Sequence, residues 1–136
     1  MTARRMTSII LLFLGGWLLS GEAMIAWIDA GAGLGIALGV MLFMSLFALA
    51  FLLLGAWASP GARWADLGLT LMIVAAFTLF AGVTTAIVFL DPTAKPFLPP
   101  EMPDLSFNPV LGTLNLLLIG GIGHMLRRWD LTRRQG

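Results

Sequence analysis

Four long apolar runs, separated by short clusters of glycine, proline and charge, set the pattern of this chain. The longest, residues 31–57, reads GAGLGIALGVMLFMSLFALAFLLLGAW; it holds no charged residue and one hydroxyl, that of Ser45. As a helix rising ~1.5 Å per residue it reaches roughly 40 Å, more than the ~30 Å hydrocarbon core of a bilayer. A water-soluble chain of 136 residues has no core able to surround such an element. The pattern therefore predicts an all-α integral membrane protein, a four-helix transmembrane bundle forming one domain.

Spans are expected at about residues 8–28, 31–57, 66–90 and 109–126. Thr7 or Ser8 is the expected cap of the first. A secretory signal is the rival reading of that segment, with Gly21-Glu22-Ala23 as a small-x-small site. Apolar character resumes after Glu22 in MIAWI, so a retained span is expected. The glycine-bearing DAGAG of residues 29–33 turns the chain into span two, and Ser59-Pro60-Gly61 turns it again. Asp66 is a candidate N-cap for span three, and Asp91-Pro92 stops it. Residues 91–108 form the one long connection, whose five prolines favour extended, partly polyproline II backbone. Asn108-Pro109 is a cap followed by a first-turn proline, opening span four.

Composition sharpens this picture. Hydrophobic residues are 59% of the chain and charged residues 11%, the reverse of a soluble domain's balance. The net charge of +1 hides a sorting by location. With four spans, Arg4, Arg5, Arg63, Arg127, Arg128, Arg133 and Arg134 share one side, and Lys95 alone lies on the other. By the positive-inside rule both termini are expected inside, in a bacterial-type inner (plasma) membrane. Trp27 is then expected at the outer interface, and Trp57, Trp64 and Trp129 at the inner one, as an aromatic belt. There is no cysteine and one histidine, which excludes disulfides, thiolate chemistry and intrachain bis-histidine haem. No spacing suggests a catalytic set or a phosphate loop, so no enzyme activity, metal or cofactor is expected.

A few residues remain as candidates for function. Glu22 is an acidic residue inside a span, and such residues are costly and usually face the protein interior. Gly15, Glu22, Ala26 and Asp29 fall near one helical stripe. Counted inward from the outer ends, Asn115 lies at the depth of Glu22, as do Thr84 and Thr85. A polar cluster of Glu22, Asn115, Thr84 and Thr85 is thus geometrically allowed. It reads either as interhelical glue or as a proton or cation site. Gly31, Gly35 and Gly39 recur every fourth residue on span two and are expected to pack helices, within the bundle or in a dimer seam. His124, one turn from the inner interface, is a candidate axial ligand to a pigment or haem shared with a partner chain, against the commoner role of binding headgroups or a backbone carbonyl. The basic RRWDLTRR tail fits an anionic leaflet rather than nucleic acid.

In the 91–108 loop, Phe97, Leu98, Met102, Leu105 and Phe107 are more apolar side chains than a solvated connection needs. Phe97 and Leu98 are the expected anchors of a docking element, with Glu101 and Asp104 on its rim; a lid packed on its own helices is the alternative. The expected function is a non-catalytic accessory or structural subunit of a larger inner-membrane complex. Its partners would be lipids and other membrane subunits, or further copies of itself. The alternative is a small oligomeric transporter or channel coupled to protons or cations through Glu22.

Overall fold

The computed structural model of the protein describes residues 2–29, 33–59, 64–90 and 106–135. They form four helices: α1 (Ala3–Ala26), α2 (Leu34–Ala58), α3 (Trp64–Leu90) and α4 (Pro109–Gln135). All four are long and apolar enough to cross a membrane. Two short strands, β1 (Ile28–Asp29) and β2 (Ser106–Phe107), pair antiparallel at one end of the bundle.

α1 packs along α2 and α3 along α4; α1 and α3 also meet each other, and each of them touches all three other helices. The close approaches come at small residues. Gly15 faces Leu52, and Gly55 faces Leu12, so a side chain at either glycine would strike the neighbouring helix. Ser8 donates from its hydroxyl to the Gly55 carbonyl at 2.7 Å beside this contact. Gly68 and Gly123 perform the same service between α3 and α4. Apolar side chains outside these seams, such as Phe43, Phe80 and Leu117, point outward. A bundle in lipid gains nothing from hiding them, because acyl chains are as apolar as they are.

The glycines of span two behave otherwise. Gly31 lies outside the described residues. Gly35 and Gly39 have open space where a Cβ would stand, so they do not pack within the bundle. The buried residues of α2 are Met41, Ala48, Leu52, Gly55 and Ala56. At about 100° per residue, Gly39 lies on the far side of the helix from Met41. The seam with α1 therefore uses another face.

Helix ends also depart from the sequence reading. α1 starts at Ala3, capped by Thr2, whose hydroxyl accepts from the Arg5 amide at 3.2 Å; Thr7 and Ser8 lie within the helix. Asp66 sits inside the first turn of α3 and pairs with Arg5. The carboxylate that meets the start of α3 is that of Asp130 on α4, which accepts from the Ala65 amide at 2.9 Å. Burial favours it, since Asp130 is 0% exposed and its other oxygen accepts from Arg133 at 2.6 Å. α4 begins as expected at Pro109, with Asn108 Oδ1 accepting from the Leu111 amide at 3.2 Å.

Candidate functional site

A partly buried polar contact joins α1 and α4. Ser8, Leu12, Gly15, Gly16, Leu19, Glu22, Ala23 and Ala26 are the buried residues of α1, a lean stripe on which Glu22 is the one ionisable member. Glu22 is 1% exposed. Its Oε2 accepts a hydrogen bond from Nδ2 of Asn115 at 3.1 Å. A carboxyl removed from water needs such a donor, and the small residues around it let α4 come close enough to supply one.

Thr84 and Thr85 do not complete this cluster. Each donates to a carbonyl of its own helix, Thr84 to Phe80 at 3.0 Å and Thr85 to Ala81 at 2.7 Å. A helical threonine satisfied by the carbonyl four residues back needs no partner on another helix. Both line instead a cleft of about 800 Å³ between α1 and α3. That cleft runs from Arg5 and Asp66 at one end to Met24 and Thr85 at the other, and Glu22 is not among its lining residues.

Above Glu22, Trp27 closes the strand-bearing end of the bundle. Expected at a lipid–water interface, it is instead 5% exposed. Its ring lies against Gly82 of α3 and Gly112 of α4, where any side chain would overlap it. It stacks on Phe107 with ring centroids 5.8 Å apart and planes 6° from parallel. The Trp27 carbonyl accepts from the Asn108 amide at 2.7 Å, which continues the β1–β2 ladder. The physical reason for its burial is space: two glycines on adjoining helices leave a slot with the thickness of a ring. Counted inward from the outer ends, Gly112 lies near the depth of Trp27 but Gly82 lies well below it, so depth counting does not reveal the slot. By contrast Trp57 and Trp129 are exposed, as belt residues are, and Trp64 is half-buried.

At the opposite end Arg4 donates to the Ala58 and Trp57 carbonyls at 2.8 and 3.3 Å, closing the C-terminus of α2. Arg5 Nη1 lies 2.7 Å from Asp66 Oδ2, which also accepts from Ser59 at 3.1 Å. Along the chain these arginines are legible as topology signals but their tertiary partners are not, since nothing local links residue 5 to residue 66.

His124 is exposed on α4, with open space at Gly121, while Gly120 lies close to Ala75 of α3. Among the described residues no three of His, Asp and Glu converge in a metal-binding arrangement. Phe97, Leu98, Glu101 and Asp104 of the loop lie outside the described residues. No protein-family model, curated protein or solved structure matches this chain.

Proposed function

We propose that this protein is a non-catalytic accessory subunit of a larger inner-membrane assembly, with both termini inside. The observation that carries the reading is the outer edge of α2. Gly35 and Gly39 meet no atom within 4 Å of a would-be Cβ, on the most apolar of the four helices. Such an edge admits a neighbouring helix at close range, where dispersion and Cα–H contacts accumulate. The apolar 91–108 loop, with Phe97 and Leu98 as anchors, would add contacts at the outer face. The rival reading, an oligomeric proton- or cation-coupled transporter, draws on the buried carboxyl of Glu22. The accessory reading has the better support because Glu22 is engaged across helices and the α1–α3 cleft does not include it.

The test is purification of the full chain in mild detergent, with Gly35→Leu/Gly39→Leu and Phe97→Ser/Leu98→Ser variants beside it. The expected result is a co-purifying membrane subunit, lost in the variants while the melting temperature of the isolated chain stays unchanged. A lone homodimer carrying proton-coupled flux that Glu22→Gln abolishes would replace this reading with the transporter.

A further inference from the structure

We propose that the cleft between α1 and α3 binds a zwitterionic phospholipid of the phosphatidylethanolamine class, with its phosphate on Arg5, its ammonium on Asp66 and one acyl chain along Ile9, Phe13 and Ile73. This goes beyond the accessory reading and does not depend on it.

The wall of the cleft comes first. Four of its hydroxyl residues are turned back on their own helices: Ser20 donates to Gly16, Thr70 to Asp66, Thr78 to Val74 and Thr85 to Ala81, at 2.7–2.9 Å. Their protons are committed, and the lining between them is aliphatic and aromatic. An occupant must therefore be apolar along its length. The residues lining the cleft on α1 span positions 5 to 24, roughly 28 Å at ~1.5 Å per residue, close to the ~30 Å of a bilayer core. About 800 Å³ spread along that length has room for a hydrocarbon chain.

The mouth selects the headgroup. Arg5 and Asp66 are the charged residues of the lining, and both stand at one end. Nη1 of Arg5 is taken by Asp66 Oδ2 at 2.7 Å and by Ser59 at 3.4 Å. Its Nε and Nη2 have no protein partner among the described residues, nor has Asp66 Oδ1. The side chains are 36% and 24% exposed, so these atoms can be reached from outside. A cation and an anion in contact have no net charge; their complement is a dipolar group. Phosphatidylethanolamine carries a phosphate oxygen acceptor and an ammonium donor two carbons apart. The guanidinium fork matches the first and the free carboxylate oxygen the second. An anionic lipid would meet Arg5 but also face Asp66, and a choline head has no N–H to donate.

The test uses the full chain in phosphatidylcholine nanodiscs doped with phosphatidylethanolamine or phosphatidylglycerol carrying the same photoreactive acyl chain. Adducts are mapped by mass spectrometry. Phosphatidylethanolamine adducts should concentrate on residues 9–17 and 69–77 and exceed those of phosphatidylglycerol. Ile73→Trp, which fills the cleft from an exposed position, should remove them, while Leu46→Trp on α2 should not. Arg5→Gln should lower them about fivefold, the equivalent of ~1 kcal/mol for one arginine near lipid phosphate. Four results would overturn the proposal: adducts spread evenly over α2 and the cleft, equal labelling by the two lipids, displacement of the label by excess inorganic phosphate, or a protein chain cross-linked along the cleft. Should Arg5→Gln not fold, the wild-type lipid ratio and the Ile73→Trp result decide.

Discussion

Nδ2 of Asn115 donates to Oε2 of Glu22 at 3.1 Å, joining the first and last helices across 93 positions of sequence. The bond has a direct consequence for substitution. Glu22→Gln keeps an oxygen to accept from Asn115 and should leave stability near wild type. Glu22→Leu removes the acceptor and leaves the amide unpaired in an apolar setting, at a cost of ~0.6–2 kcal/mol. Thermal melting of the purified chain in one detergent measures both. Equal melting temperatures for the leucine and glutamine variants would show that the bond contributes nothing.

The slot around Trp27 predicts non-additive behaviour. Gly112→Val places a branched side chain where the indole lies, and overpacking of this kind costs ~1–3 kcal/mol. Trp27→Ala empties the slot and costs ~3–5 kcal/mol by the scale of buried aromatic truncations. The double variant should be less damaged than the sum, because valine then grows into vacated space. Unfolding in sodium dodecyl sulfate gives the three free energies. Strict additivity would mean the two residues do not compete for one volume.

Asp130 predicts a graded series at the other end of the bundle. Asp130→Asn keeps an oxygen for the Ala65 amide but loses the charge paired with Arg133. Asp130→Ala loses both and should cost ~0.5–2 kcal/mol, the range for removing a helix cap. The asparagine variant should fall between alanine and wild type in melting temperature. Arg133 is half-exposed but its partner Asp130 is 0% exposed, so Arg133→Gln takes the charged donor from a buried carboxylate and should lower the melting temperature measurably.

Topology is open to direct test because the chain has no cysteine. Lys95→Cys should react with an impermeant maleimide in intact cells. Arg63→Cys should react only after the membrane is opened. Reaction of both from outside would refute the four-span arrangement with termini inside.

Much of this architecture is legible along the chain. Residues 31–57 are long and apolar enough to cross a bilayer by their own composition, and Asn108-Pro109 starts a helix by local geometry alone, because a cap and a fixed φ act within one turn. Depth counting from helix ends even levels Glu22 with Asn115, since a helix in a membrane has one rise and two boundaries. What the pattern leaves open is rotation about each helix axis. In lipid both faces of a helix are apolar, so hydropathy does not say which face turns inward. Hence Gly35 and Gly39 promise a seam and face open space, while Gly55, Gly68 and Gly123 make the contacts. Thr84 and Thr85 share the depth of Glu22 but not its azimuth, and Trp27 sits in a slot that exists only once Gly82 and Gly112 are brought to either side of it. Arg5 with Asp66 and Ala65 with Asp130 are pairings of the same kind. They arise where helix ends meet, and only the packing of α1 against α3 and of α3 against α4 brings those ends together.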